Sequence, residues 1–160
     1  MSEIPDIELD SDAIISDCSH YRYTLTRRWS SRKTVMFIGL NPSTADASED
    51  DPTIRKCIRF ARDWEFGQLV MTNLFAFRAT NPKEMITQSD PVGEFNDAHL
   101  HSLASKADLI VAAWGTRGVH LGRDQVIRRS IPNLHHIGLT RHGHPRHPLY
   151  VKATAKPQPF

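Results

Sequence analysis

Polar residues with useful chemistry sit at the ends of apolar runs in this chain, at four places. Asn41 follows "TVMFIGL" and is itself followed by Pro42 and Ser43. Asn73 ends "QLVMTN", and Trp114 and Gly115 end "DLIVAAWG". The stretch "RHGHPRHPLY" then brings His142, His144 and His147 together with Arg141 and Arg146. A primary amide donates and accepts hydrogen bonds at once, so Asn41 and Asn73 suit reading a nucleobase edge or positioning a water molecule. Asn before Pro is also a common turn former, which would explain Asn41 by conformation alone. Asn73 is harder to explain that way, because a polar side chain in an apolar strand needs partners.

A general base would come from the acids of "GLNPSTADASEDDPT". Asp50 and Asp51 suit the start of a following helix, where a carboxylate complements the helix dipole. Asp46, nearer the end of the apolar run, is therefore the candidate for chemistry. The three tail histidines have spacings that metal ligands use, but no nearby Cys or carboxylate completes a site. A histidine in a proline-shaped loop can instead donate a hydrogen bond to a developing anion. Arg141 and Arg146 beside it suit phosphate contacts. An exposed His/Arg surface loop is the alternative. A P-loop, the dinucleotide-binding glycine spacing and a G-x-S-x-G elbow are all missing, which argues against the corresponding enzymes.

The elements that must position these residues follow from periodicity. "YRYTLTRRW" (Tyr21 to Trp29) alternates, as an edge strand with one buried face does. "TVMFIGL", "QLVMTNLF" and "DLIVAAWG" are near-continuous apolar runs, the mark of strands buried on both faces. "NLHHIGL" is a short fourth strand of this kind. Asp51, Pro52 and Thr53 start a helix in which Ile54, Cys57, Ile58 and Ala61 recur at helical spacing. Arg55, Lys56, Arg59 and Arg62 occupy its other sides, as a solvated face or a grip on a polyanion. "NDAHLHSLASKA" and "VHLGRDQVIRRS" are further helices, while "RATNPKE" and "TRHGHPRHPLYV" are loops. Alternating strands and helices predict a parallel α/β sheet under helical layers, with functional groups gathered at the carboxyl ends of its strands. The four places above should therefore converge on one cleft.

With 160 residues, 39% hydrophobic and 24% charged, the chain has the size and balance of one soluble domain. No apolar run approaches membrane-spanning length, and the acidic N-terminus lacks the features of a secretory signal. Cys18 and Cys57 are far apart and fit a reducing cytoplasm. The net charge of +2 hides an asymmetry: six acids and no Lys or Arg fall in residues 1–20, which leaves the rest of the chain strongly basic. A basic body favours polyanionic partners such as nucleic acid. Residues 1–18 are expected to be an acidic, partly disordered arm, and residues 19–160 a single domain.

Taken in order, the motifs resemble the uracil-DNA glycosylase superfamily. "GLNPS" is similar to the motif that opens the active site of its mismatch-specific branch. "WEFGQLVMTNLFAFR" resembles the strand that delivers a base-reading Asn, "LIVAAWG" the third strand, and "HPRHPLY" the closing His-Pro-Ser-Pro-Leu loop. The resemblance spans about residues 34 to 151. The pattern also resembles a bacterial and phage family catalogued only as a domain of unknown function.

The resemblance implies a three-layer α/β/α fold, with a mainly parallel four-stranded sheet plus an N-terminal edge strand. It implies a monofunctional DNA glycosylase that flips a base and hydrolyses its N-glycosidic bond without metal or cofactor. The catalytic set would be Asn41, which positions the water, and His147, joined by Asp46, the general-base candidate read from the residues themselves. Asn73, Pro42, Ser43 and Phe75 would bind the base, and Arg78, Arg141, His144 and Arg146 the DNA backbone. The closing loop carries an extra residue, so either His144 or His147 can be the functional one; His147 is favoured because it directly precedes Pro148 and Leu149.

Uracil-specific relatives place a bulky Tyr after the Pro of the first motif, whereas Ser43, Thr44 and Ala45 follow here. Small residues leave room at C5 of a pyrimidine, which points to a modified base such as the hydroxymethylated or glycosylated cytosine of phage DNA, and so to phage defence. The expected partner is double-stranded DNA, with no membrane, and the protein is expected to be a cytoplasmic monomer. The alternatives are an enzyme or sensor acting on free nucleotides through the same pocket, and a catalytically inactive nucleic-acid-binding module.

Overall fold

The computed structural model describes residues 10–160. Of the acidic arm expected over residues 1–18, residues 1–9 lie outside the described residues, and Asp10–Ile15 form strand β1. The fold is α/β. Its sheet is mixed and seven-stranded, in the order β1-β2-β4-β3-β5-β6-β7, in place of the four strands and one edge strand expected. The other strands are β2 (Arg22–Arg28), β3 (Thr34–Gly39), β4 (Gln68–Asn73), β5 (Leu109–Ala112), β6 (Leu134–His136) and β7 (Gln158–Pro159). Parallel pairing joins β4 to β3, β3 to β5, and β5 to β6. β1, β2 and β7 pair antiparallel at the flanks.

β2 corrects the edge-strand expectation. It lies between β1 and β4, and its first four residues, Arg22 to Leu25, are all buried. Arg22, which alternation assigned to water, is covered by the loop after β3, where the Ala45 carbonyl accepts from its guanidinium; Arg27, on the buried set, donates to the Asp46 and Glu49 carbonyls of the same loop. β7 had no signal, since two residues carry no periodicity.

Helix α1 (Pro52–Asp63) starts as expected. Asp51 is its N-cap and accepts from the Ile54 N–H at 2.9 Å, with Pro52 in the first turn. Ile54, Cys57, Phe60 and Ala61 turn inward and pack on Val35, Phe37, Leu69 and Val111 on one face of the sheet. The other face carries Met36, Ile38 and Val70 under α2 (Pro82–Ile86), α3 (Asn96–Ala104) and α4 (Arg123–Ser130). Such alternation of inward residues along β3 is what a strand buried on both sides requires.

Two other expectations change. The stretch around Asn81, expected as loop, contains α2, because the Asn81 side chain caps the Lys83 N–H at 3.0 Å and Pro82 fits the first turn. The helix expected from Val119 begins only at Arg123: Thr116–Gly122 form 3-10 turns, broken where Leu121 sits at φ 55°. No helix among the described residues is long and apolar enough to cross a membrane.

Candidate functional site

A cleft of about 550 Å³ opens beyond the carboxyl ends of β3 and β5. Leu40, Asn41, Ser43 and Thr44 line it from the loop after β3, and Trp114 and Gly115 from the end of β5. Arg146, His147, Leu149 and Tyr150 line it from the tail. Three of the four expected places thus meet directly. The fourth, Asn73, reaches a recess of about 30 Å³ that shares Asn41, Ser43, Asp51 and His147 with the cleft. Pro42 also borders this recess and not the cleft itself.

Asn41 is fixed by its own amide. Its Nδ2 donates to the Ala79 carbonyl at 2.9 Å and to the Pro42 carbonyl at 3.2 Å. Two acceptors demand the amino end of the side chain there, so the carbonyl oxygen Oδ1 is the end left for a ligand. Asn41 therefore offers the cleft an acceptor, which can accept a hydrogen bond from a bound water and so aim the water's lone pair.

His147 offers the complementary group. Its Nδ1 accepts the Leu149 backbone N–H at 3.2 Å, as the cap of a 3-10 turn over Pro148–Tyr150. With Nδ1 accepting, the neutral ring carries its proton on Nε2. Burial holds the His147 pKa below the ordinary histidine value; Asp51 nearby opposes this shift and Lys56 adds to it. Neutral His147 is thus a donor at pH 7.

Asp46 does not join them. Its Oδ1 accepts from the Ser48 and Glu49 N–H groups at 3.0 and 2.9 Å, and it does not line the cleft. Those backbone hydrogen bonds hold its carboxyl below the usual range, which makes it a loop-shaping residue and a poor proton acceptor. The carboxylate at the cleft is Asp51, buried at the start of α1, with Oδ2 accepting from the Ala45 N–H at 3.3 Å. A helix cap can also face a ligand, a double use its position in sequence did not disclose.

The other expected residues divide similarly. Ser43 lines the cleft, with its hydroxyl 3.3 Å from that of Thr80. Phe75 is wholly buried in the core on the α3 and α4 side, tilted against His120 at 5.5 Å, and does not reach the cleft. Arg146 lines the cleft, while Arg141 is exposed outside it. His144 is half-buried away from the cleft, its N–H bonded to Thr140 Oγ1 at 3.1 Å. Arg78 turns back to the carbonyls of Ser19 and Thr44 at 3.3 and 3.5 Å.

Beyond Asp51, sequence reasoning missed three further residues at the site. Arg117 lines the cleft from the 3-10 turn after β5. Tyr150 stands 78% exposed at the cleft, its ring 5.7 Å from that of His147, and its place just after Pro148 and Leu149 was the available signal. Arg22, 2% exposed, borders the recess, and nothing in the alternation of β2 marks it. Among the described residues, no group of three or more His, Cys, Asp or Glu side chains is placed to hold a metal ion.

No curated protein and no solved structure matches the chain. A family profile matches residues 22–149, from the first residue of β2 to the cleft residue Leu149. That span holds every residue assigned above to the cleft except Tyr150, and over it the chain belongs to the family described as "Protein of unknown function (DUF1643)".

Proposed function

We propose that this chain is a monofunctional DNA glycosylase of the uracil-DNA glycosylase type, acting on a C5-modified pyrimidine without a metal or cofactor. The observation that carries the reading is the pairing, in one cleft, of an Asn41 restricted to acceptor use and a neutral His147 restricted to donor use. Hydrolysis of an N-glycosidic bond needs both. The bond between C1′ and the base nitrogen breaks and its electron pair leaves with the base. A water held by Asn41 bonds its oxygen to C1′, and the proton it loses balances the departing base. His147 donates to the anion developing on the base, and the Asp51 carboxylate favours the cationic sugar.

The motif resemblance supports this reading, as does the run of parallel strands β4-β3-β5-β6 with the candidate residues at its carboxyl end. Ser43 and Thr44 line the cleft where a bulky residue would close it at C5; Ala45 is buried beneath and does not line it. Exposed Leu149 and Tyr150 at the cleft suit contact with an unstacked base pair. A groove of about 330 Å³ lined by Arg55, Lys56 and Arg59 meets the cleft at Pro52 and suits a phosphate backbone. Hydroxymethylated or glucosylated cytosine of phage DNA is the proposed substrate, with phage defence as the role.

The test is incubation, with chelator present, with DNA containing uracil, mismatched thymine, hydroxymethylcytosine or its glucosylated form. Alkali then reveals abasic sites. Release of a C5-modified base by the wild type and not by Asn41→Ala is the expected result. Release of plain uracil alone would remove the substrate proposal, and no release from any DNA would remove the glycosylase. A second reading, action on a free modified nucleotide, draws on a cleft large enough for one nucleotide with Arg117 and Arg146 beside it. Salt separates the two, since duplex binding falls steeply with salt through several phosphate contacts and single-nucleotide binding does not.

A further inference from the structure

The cationic groove beside the cleft is built differently from a solvated helix face, where charges of both signs alternate. Arg55, Lys56 and Arg59 of α1 line it together with Pro52, Phe60 and Ala153, and no carboxylate does. Two of the cations are steered by neutral groups. Arg55 Nη1 donates to the Asp50 carbonyl at 3.3 Å, and Lys56 Nζ, 5.9 Å from the Phe60 ring centre, donates to the Val151 carbonyl. The Asp50 carboxylate itself is taken by Arg27 at 3.0 Å, and that of Asp51 by the helix cap. Of the three, only Arg59 has an acid partner among the described residues, Asp63 at 3.9 Å, and both side chains are exposed, where such a pair contributes little.

The tail closes the groove as it closes the cleft. Lys56 holds Val151 directly after the 3-10 turn that presents Leu149 and Tyr150, and Trp64 Nε1 donates to the Ala155 carbonyl at 3.1 Å. Ala153, between those two tethers, lines the groove from the tail. Phe60, 1% exposed, joins Pro52 and Ala153 as the apolar part of the lining. Pro52 also lines the cleft, so a chain that fills both spaces crosses this one residue.

Apolar surface beside cations matches a sugar–phosphate unit, whose ring packs on the first and whose oxygens face the second. A nucleotide in the cleft already has Arg117 and Arg146 beside it for its own phosphate. Three further cations exceed what one nucleoside monophosphate calls for. We propose that the groove is a second subsite, for the sugar and phosphate of the neighbouring nucleotide on the same strand, and that the protein therefore takes a strand and not a free nucleotide. This rests on a nucleotide occupying the cleft, as both readings of the function have it, and it decides between them. Arg55 and Arg59 are the phosphate-binding residues of the subsite.

The first test uses a duplex with one tetrahydrofuran nucleotide, which stands for the nucleotide whose base has left. Its flanking phosphates are replaced one at a time by neutral methylphosphonate. At one neighbouring phosphate the replacement should weaken wild-type binding about 10-fold, as loss of a charged hydrogen bond does. The double variant Arg55→Gln/Arg59→Gln should lose a similar factor and lower the salt slope of binding by about one. In that variant the same methylphosphonate should have no further effect. Losses that multiply at every position overturn the proposal.

Both arginines are exposed, so the double variant keeps the core intact. Ala153→Glu removes no cation and adds a carboxylate to the groove. It should weaken binding to the same duplex about 10-fold, and binding as tight as wild type overturns the proposal as well.

The second test compares two competitors for that duplex, 5-hydroxymethyldeoxycytidine monophosphate and the trinucleotide carrying it at the centre. The trinucleotide should bind wild type about 10-fold tighter, and the gap should close in the double variant. Equal competition with wild type overturns the strand half. Coupling at one phosphate without base release from any DNA would leave the groove standing and remove the hydrolysis. Base release with independent losses at every phosphate would do the reverse.

Discussion

His147 Nδ1 lies 3.2 Å from the backbone nitrogen of Leu149 and accepts its hydrogen. That bond fixes the tautomer, closes the 3-10 turn that presents Leu149 and Tyr150, and ties the ring's charge state to the shape of the loop. Protonating Nδ1 breaks it. Since burial already holds the His147 pKa below the ordinary 6.5, the folded state binds this proton less readily than the unfolded state does. The contribution of neutral His147 to stability is full above the unfolded value. It is lost as pH falls below 6.5 and through the depressed folded value. Base release and thermal midpoint should therefore both decline with acidification over that window. In His147→Gln the acid limb should flatten, which parallel pH profiles of rate and melting temperature will show.

Two substitutions at Asn41 test the proposed hydrolysis and the architecture separately. Asn41→Ala should reduce base release about 100-fold, because the attacking water loses its orientation, and leave duplex affinity within a few-fold of wild type. Asn41→Asp keeps an acceptor in the cleft but sets a carboxylate oxygen against the Ala79 and Pro42 carbonyls. A loss of about 1–3 kcal/mol in stability is expected, measured by denaturant unfolding.

Arg27 tests the loop that carries the site. Its guanidinium donates to Asp50 Oδ1 at 3.0 Å and to the carbonyls of Asp46 and Glu49 at 2.6 and 3.2 Å. Arg27→Ala leaves the Asp46 carbonyl and the Asp50 carboxylate without this donor, while the Glu49 carbonyl keeps only the Asp46 N–H. The cost should be about 2–4 kcal/mol, with protection of the 44–50 backbone amides lost in hydrogen exchange.

How much of this was legible follows from particular residues. β3 and α1 were readable because Val35 to Ile38 are apolar without interruption, and because Asp51 and Pro52 spell a helix start at a fixed offset. The structure puts Asp51 and not Asp46 at the cleft, for a physical reason. Closeness to the strand end in sequence is not closeness in space, because the loop folds back so that Asp51 meets the Ala45 N–H. Arg22 was invisible, since alternation assigns a charged residue to water and cannot see a later loop covering it. His144 and His147 could not be separated by register alone. Their places are set by Pro145, which bridges to Leu139 and accepts the Gly115 N–H at 2.8 Å.

Two glycines carry the site's tight places. Gly39→Ala would drive a methyl to 2.7 Å from Asn73 Oδ1 and 2.8 Å from Met71 Cε. A loss of about 1–3 kcal/mol is expected from overpacking. Gly115 holds φ 73° at the end of β5, and Gly115→Ala should cost about 1–2 kcal/mol from backbone strain. Thermal melts of both variants check these values.

The two thiols should behave oppositely. Cys57 is fully buried in α1, and burial pushes its thiol far up. Cys18 is exposed, with a pKa lowered by the hydrogen bond to the Ser16 hydroxyl and next by that to the His20 backbone. A thiol-reactive dye should modify one cysteine in the native protein and two in denaturant, with mass mapping to Cys18 first.

The sheet's borders bear on how copies of the protein meet one another. Among the described residues, one border is β1, which sets Asp10 and Asp12 along an exposed strand, and the other is β7, only two residues long. Two copies trying to extend the sheet through β1 would bring carboxylates face to face, and β7 offers too few backbone groups to hold a neighbour. Strand-to-strand polymerisation is thereby discouraged at both borders, and concentrated solutions are expected to stay dispersed at neutral pH and to become sticky once those carboxylates are titrated away.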